Sequence, residues 1–521
     1  MPDGSDDRCS FSFDPASWQE RTGLRSPLYR DLLDEDEAWR CHRDTHGETD
    51  RCLFHLPPAE TDDDAVREAF LDAIDRSGER PKRFVGARFG TLDLDHEIVA
   101  CADNHEIDLR HAVFEGETTW RYAIVRQPIT VAGATFHERP VFTEATFEGP
   151  VSLDRATFET AARFIEADFS KSVTGHHARF TEGNFHNVRF GGLADFTGAR
   201  FADAQFRETE FDAVARFNGT TFEEVSFAGA EFGDRVYFDA ATLPETVGME
   251  AARFADVASF EDLDLQADHC RIDCTRTTIP AGRLYLPADG TLVYDLAEAE
   301  IGAVSLTDGR PPSDLFDHYR FLDTAFSGFD FGRYREVLHE ANWRLHEVRE
   351  VPGHEWADPS LGELENTYLK AKNGANAIGD TKAAAEFFRR EMLYRRDQYL
   401  PTARDGTEPV RRRARAAGRW TANTLLNLTA GYGERPSRVI AVSMATILCF
   451  SGVFALVQPD PLYGTPVGYL VLSFQSFITL VLGGAADVGG PWIRLLAQVE
   501  GFVGAFLIAL FVFTLTRSIH R

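Results

Sequence analysis

Fifteen residues near the start of the chain hold its densest set of metal-binding side chains: Cys41-His42-Arg-Asp-Thr-His46-Gly-Glu-Thr-Asp-Arg-Cys52-Leu-Phe-His55. Thiolates and imidazoles are the ligands of tetrahedral zinc. Cys52 and His55 make one clip of such a site. Cys41 with His46, or with His42 in its place, makes the other. The set predicts a structural zinc site, since nothing in it leaves an open catalytic position. A metal-free cap on the next domain fits the same residues, because the spacing follows no common zinc motif.

A second group lies near the other end. Thr479, Val481, Leu482, Gly483, Gly484, Ala485 and Asp487 supply carbonyl oxygens, a hydroxyl and one carboxylate within nine positions. Rings of carbonyls or carboxylates select and draw in cations. The elements around them are apolar. Val439 to Val457 carries no charge, and the stretch from Ile493 to Thr516 is interrupted only by Arg494 and Glu500. About twenty apolar residues cross ~30 Å of hydrocarbon, so both can span a bilayer. Gly468 to Gly484 is shorter and runs into Gly483-Gly484-Ala485-Ala486-Asp487-Val488-Gly489-Gly490. Irregular backbone at membrane depth is tolerated only where it is buried or lines a cavity. The pattern predicts two crossings with a re-entrant loop between them. Arg411, Arg412, Arg413, Arg415, Arg419, Arg435 and Arg438 precede the first span, and Arg517 and Arg521 follow the last. Positive flanks mark the cytoplasmic side, so both ends are expected inside.

Over Arg438 to Arg521 the chain resembles the two-helix pore domain of the potassium-channel superfamily. Ser473-Phe-Gln-Ser-Phe-Ile-Thr479 stands where that family has its pore helix, and the stretch from Glu500 to Arg517 resembles its inner helix. The resemblance implies a homotetramer around one pore in a lipid bilayer, conducting potassium or sodium. It further implies that Thr479, Gly483 and Gly484 line the narrow part, with Asp487 as an acidic ring at the outer mouth. Gly501 or Gly504 would bend the inner helix, although close helix packing explains the same glycines. The family's TVGYG stands here at best as Val481-Leu-Gly-Gly-Ala485, so selectivity is not carried over. Thr429-Ala-Gly-Tyr-Gly-Glu434 is closer to that filter, but it precedes the first span and reads as a helix cap and turn.

The middle of the chain is a ladder of phenylalanines. Phe136, Phe142, Phe147, Leu153, Phe158, Phe164 and Phe169 recur at steps of five or six. The rhythm resumes at Phe180 and runs to Phe238 and Leu243. Two places before most of them stands a small residue, such as Ala134, Ala145, Ala156 or Ala199. Neither the helical period of 3.6 nor the strand period of 2 gives a step of five. A solenoid with five-residue sides does. These residues resemble the pentapeptide-repeat family, which implies a right-handed quadrilateral parallel β-helix. About eleven coils at ~4.8 Å would make a rod roughly 50 Å long. The ladder is then core, and His176, His177 and His186 fall on outward positions.

The expected fold is multidomain: this β-helix, an α-helical linker domain, and an α-helical membrane domain with two spans and a re-entrant pore loop. The boundaries are an N-terminal cap over 1–82, the rod over 83–310, a helical coupling domain over 311–409, a basic amphipathic surface segment over 410–436 and the pore domain over 437–521. A short helix from Asp62 to Ile74 should close the first coil. Apolar residues at helical spacing follow Phe331. A helix-turn-helix hairpin turning at Gly379-Asp380 resembles a single tetratricopeptide-like unit, which packs rod to membrane or links rod to gate.

Composition sets the surroundings. The net charge is −28, and 49 of the 54 basic residues are arginine, the other five lysine. An acidic, Arg-over-Lys surface keeps a protein soluble near salt saturation, which points to a halophilic source. Because the acidity runs through the whole chain, it calls for no nucleic-acid partner and no DNA mimicry. Met1-Pro-Asp-Gly-Ser-Asp-Asp lacks an apolar core, so no signal peptide is expected and the rod is placed in the cytoplasm. Seven cysteines, one of them (Cys449) inside a span, suggest no disulfide framework there. No Gly-rich phosphate loop, G-x-S-x-G or H-E-x-x-H occurs, so an enzyme is not expected, and Glu391 reads as part of a solvated face. The reading is a cation channel with a cytoplasmic rod that binds a protein or ligand. Its rival is a non-conducting, membrane-anchored scaffold.

Overall fold

A large residue at every fifth position and a small one two places before it bend the backbone into a four-sided coil. A computed structural model of the chain describes residues 8–23, 25–27, 37–76, 82–101, 104–457, 465–482 and 491–519. These fall into two units, Met1–Ala357 and Asp358–Arg521.

In the first unit two parallel sheets, of 20 and 17 strands, run along a solenoid of about eleven turns. Each sheet supplies two adjacent sides of every coil. Pairing joins Ile124 to Thr146 and Thr146 to Asp168, 22 residues apart, then Asp168, Arg189, Glu210 and Glu231 at intervals of 21. The coil exceeds twenty residues because the six-residue steps fall at bends within one sheet, as from Phe190 to Phe196. Five-residue steps run along single strands, as from Phe180 to Phe185, and also carry the chain between sheets. There a tight turn holds its third residue at positive φ, as at Glu144 (55°), Arg155 (59°) and Glu166 (58°). Non-glycine residues are disfavoured in this region, but each corner recovers a hydrogen bond to the next coil, such as Arg155 N–H to the His176 carbonyl at 2.8 Å. The turn closes with Ala156 N–H on the Leu153 carbonyl at 2.9 Å. Ala145, Ala156 and Ala167 are buried in these corners, where a longer side chain has no space.

The large residues stack. Phe114, Phe136, Phe158 and Phe180 follow one another with ring centroids 4.3, 4.8 and 4.5 Å apart. Phe164, Phe185, Phe206 and Phe227 do so at 4.9, 4.6 and 5.1 Å. The ladder is core. Its gap between Phe169 and Phe180 also has a cause. A Cβ on Gly175 would lie 2.8 Å from Cδ1 of Phe196, whose ring fills the space of the absent side chain.

Both ends of the stack are covered. Helix α1 is Pro15–Thr22, and α2, Asp63–Asp75, seats Phe70 on Phe84 and Phe89 at 4.7 and 5.7 Å. The expected helix over 62–74 is therefore present. At the far end the ladder passes the expected border at 310. Strands Tyr319–Arg320 and Ala325–Phe326 pair with Tyr294–Asp295 and Glu300–Ile301. Phe316, Phe321, Phe326 and Phe331 had kept the five-residue step. The helix expected after Phe331 shrinks to a 3-10 turn, Phe331–Tyr334, and α3, Arg335–Glu340, because these aromatics plug the last coil instead.

In the second unit α4 (Leu361–Ala377) and α5 (Thr381–Arg404) form the expected hairpin. Ser360 and Glu363 cap α4 reciprocally, and Asp380 caps α5. Glu391 is not on a solvated face. It is 2% exposed and accepts hydrogen bonds at 2.7 Å from both Lys372 and Arg395. Its position on the α4-facing side of α5 decides this. Helix α6 (Val410–Ala430) follows, then α7 (Pro436–Val457), α8 (Pro466–Leu482) and α9 (Pro491–Ile519). The filter-like Thr429–Glu434 is the C-cap of α6, with Gly431 left-handed at φ 55°.

Two outcomes follow for the rod. Phe206→Ala empties a fully buried place between Phe185 and Phe227 and should cost about 3–5 kcal/mol, seen as a lower urea midpoint of the rod transition. His176 lies 3.0 Å from Asp154 and 3.4 Å from Asp195 on adjacent coils. Its pKa is raised above 6.5, first by the hydrogen bond to Asp154, with burial opposing and both carboxylate charges adding. A raised pKa gives a contribution complete below pH 6.5 and lost as pH climbs through the folded value. His176→Gln should remove that pH-dependent difference, below about 1 kcal/mol for so exposed a pair, when midpoints at pH 6 and pH 8.5 are compared.

Candidate functional site

Two places in the described residues carry groups capable of specific chemistry. The first is in the N-terminal cap. Strand Ser12–Phe13 pairs antiparallel with Trp39–Arg40, and Cys9 N–H bonds the Arg43 carbonyl at 2.8 Å. This brings Cys9 alongside Cys41. The 3-10 turn Leu53–His55 then places Cys52 and His55 opposite. Cys9, Cys41, Cys52 and His55 are all buried, and their ligand atoms lie within 4.8 Å of one another. The Sγ atoms of Cys41 and Cys52 are 3.9 Å apart, and Nδ1 of His55 is 3.4 Å from Cys9 Sγ and 3.1 Å from Cys52 Sγ. The hydrogen bond from the Cys52 thiol pulls the Cys41 pKa down, burial opposes it, and His55 and the Arg43 N–H add to the lowering.

Of the sequence-derived set, Cys41, Cys52 and His55 come together. His46 and His42 do not. Both are exposed on the turn that follows Cys41, and Cys9 takes the fourth place. Cys9 stands 32 residues before Cys41, so no local spacing announced it. Only the antiparallel pairing of two short strands brings it in.

The second place is the bundle of α7, α8 and α9. Among the described residues two helices are long and apolar enough to cross a bilayer, Pro436–Val457 and Pro491–Thr516, of 22 and 26 residues. At 1.5 Å per residue they reach about 33 and 39 Å. Their outward faces are apolar, with Met444, Leu448, Phe502, Phe506 and Phe513 exposed. Helix α8 packs between them. Phe454, Tyr469, Leu472 and Ile493 form one buried cluster, and Val439, Phe477 and Leu507 belong to another. Inside the unit Ser473 bonds the carboxyl of Glu500 and lies 2.8 Å from the Ile447 carbonyl, so one hydroxyl links all three helices. Ser473, Ser476 and Glu500 are each at most 1% exposed. In the sequence Glu500 interrupts a span and opens the stretch resembling an inner helix, but nothing there pairs it with Ser473.

The expected pore residues divide. Thr479 is half-buried, and its hydroxyl bonds the Gln475 carbonyl within its own helix. Val481 and Leu482 are the last residues of α8, not extended filter backbone. Gly483, Gly484, Ala485 and Asp487 lie outside the described residues. Helix α9 runs unbroken through Gly501 and Gly504. Gly504 is a packing glycine: a Cβ there would lie 2.1 Å from the Phe477 carbonyl oxygen.

Comparison with known proteins bears on the rod. Residues 165–210, 176–221 and 197–242 match a family described as pentapeptide repeats (9 copies). The chain carries pentapeptide repeats. The matched stretch lies within the stacked phenylalanines, and the pentapeptide coils continue on both sides of it in the strand ladder. No curated protein and no solved structure matches the chain.

The close α8–α9 crossing gives a clear expectation. Gly504→Val places a branched side chain against backbone that cannot yield, so the helices must separate. Detergent-solubilised protein should lose thermal stability by about 1–3 kcal/mol, and a cysteine pair engineered across Phe477 and Gly504's neighbours should cross-link more slowly.

Proposed function

We propose that this chain is an integral membrane protein in which α7, α8 and α9 form one subunit of a tetrameric cation pore. The pentapeptide-repeat rod is its cytoplasmic regulatory or scaffolding domain. The observation that carries the reading is α8. It is a short apolar helix held between two span-length helices by a buried serine and carboxyl. Ionisable side chains within membrane segments are costly, and they mark pathways and sites by default. A hairpin that only anchored the rod would need neither the third helix nor Glu500.

The arginines before α7 and at the C-terminal end of α9 favour a cytoplasmic position for both ends of the unit. By the resemblance to two-helix pore domains, the Gly-rich sequence after α8 is the candidate for the narrow part, where potassium or sodium would pass over backbone oxygens. Asp487 stands in that segment as the carboxylate that draws cations to the outer mouth. The net charge of −28 suits work at molar salt.

The test is single-channel recording from the purified chain in a planar bilayer, with molar KCl on one side and NaCl on the other. Unitary currents are expected, smaller in Asp487→Asn and altered in Glu500→Gln, and the reversal potential reads the preferred cation. A chain that inserts fully yet stays silent in both salts and at all voltages would defeat the pore reading. The anchored scaffold would then stand.

A further inference from the structure

We infer that Cys9, Cys41, Cys52 and His55 bind one zinc ion through three thiolates and the Nδ1 of His55. The inference concerns the N-terminal cap and is independent of the pore reading. With Zn–S near 2.3 Å and Zn–N near 2.0 Å, a tetrahedron has edges of about 3.8 Å between sulfurs and about 3.5 Å from sulfur to nitrogen. The cap already holds edges of 3.9, 3.4 and 3.1 Å. Small adjustments bring the four donors onto one centre.

The orientation of the imidazole is fixed by its other nitrogen. Nε2 of His55 lies 3.0 Å from the Val85 carbonyl oxygen. A carbonyl only accepts, so Nε2 carries the hydrogen, and Nδ1 presents its lone pair to the sulfurs. A ligating histidine is characteristically held in this way by a hydrogen bond on its far side. Phe11 stacks on the same ring at 3.9 Å and 8°, which locks its plane.

The sulfurs are prepared as well. Cys52 Sγ lies 3.9 Å from Cys41 Sγ and 3.1 Å from His55 Nδ1, so each sulfur already faces another donor of the set. Binding replaces three S–H bonds with three Zn–S bonds and releases three protons. The resulting centre carries one net negative charge, with Arg51 donating to the His55 carbonyl at 3.3 Å nearby. Cys41 and Cys52 also line an open cleft of 550 Å³ that gives the ion a route in. All four positions are taken by protein, so the site is structural. It ties the N-terminal strand to Val85 in the first coil, where α2 and Phe54 cover the end of the rod.

The experiment is metal analysis of the full chain purified in detergent, with thiols counted by intact mass. One zinc per chain is expected. Cobalt(II) in its place should show the visible bands of a tetrahedral ion and thiolate-to-metal charge transfer. Cys9→Ser should drop bound zinc from one per chain toward none at the same free zinc, while His46→Ala should keep one. Because Cys9→Ser could disturb folding, the unaltered chain is also treated with a chelator. Amide exchange should then rise across residues 8–13 and 37–56 and stay unchanged in the middle coils. Three results would overturn the inference. They are no zinc with all seven thiols free, a Cys41–Cys52 disulfide two hydrogens lighter, or zinc kept in Cys9→Ser but lost in His46→Ala.

Discussion

Everything in the rod depends on one coil lying directly over the next. Backbone hydrogen bonds between parallel strands hold the coils at the strand spacing of about 4.8 Å. Flat rings are the side chains that fill a layer of that thickness, and the Phe232–Phe254 pair at 4.8 Å and 2° shows the match. The lateral size of the coil is fixed too, because corners closed by alanine leave no slack. Extra residues are accommodated only where they leave the stack. Between Arg253 and Thr278 the register lengthens to 25 residues, and the surplus lies in the bends around Asp262 and Ala267. A gap within the stack is filled from the neighbouring coil, as Phe196 fills the space under Gly175.

The same spacing organises the outer surface. Arg189 reaches Asp168 at 3.5 Å and Asp212 at 2.7 Å, one coil to either side. Arg271 joins Asp273 and Asp295 at 2.8 and 2.9 Å, and Arg320 joins Asp295 at 3.1 Å. A planar guanidinium with several fixed donors bridges two carboxylates on adjacent coils better than a single ammonium. The predominance of arginine therefore has a structural use here, separate from any role of salt. The exposed pairs among them, such as Arg189 with Asp168, are each worth little. On a chain with 82 acidic residues, however, cations placed between stacked carboxylates relieve repulsion that the coil spacing would otherwise impose.

These constraints explain what could be read from the residues beforehand. The rod was legible because its rule is local: five residues suffice to show a side, and the rule repeats. It could even have been followed past 310, since Phe316, Phe321 and Phe326 keep the step. The hairpin of α4 and α5 was legible through Ser360, Glu363 and Asp380, which are local capping signals. Long-range pairing was not. Cys9 reaches the cap through an isolated two-residue strand, and no periodicity marks such a pairing. Glu391 was misplaced for a related reason. A carboxylate on a helix looks solvated until the neighbouring helix brings Lys372 to it. Gly501 and Gly504 allowed bending or packing equally, and only the position of the Phe477 carbonyl separates the two for Gly504.

The bundle of α7, α8 and α9 obeys a different economy. Its apolar helices are held by close approach and by polar groups that satisfy each other. Gly504 permits the close approach of α9 to α8. Ser473 meets both the Ile447 carbonyl and the Glu500 carboxyl, so a single hydroxyl fixes α7, α8 and α9 in one arrangement. An apolar trio of similar volume would pack without the desolvation that Glu500 suffers. The cost is borne in α9, beside the short helix α8. On the pore proposal, that is where a substitution separates packing from conduction. Replacing the carboxyl by an amide keeps a hydrogen-bond partner for Ser473 and removes the ionisable group.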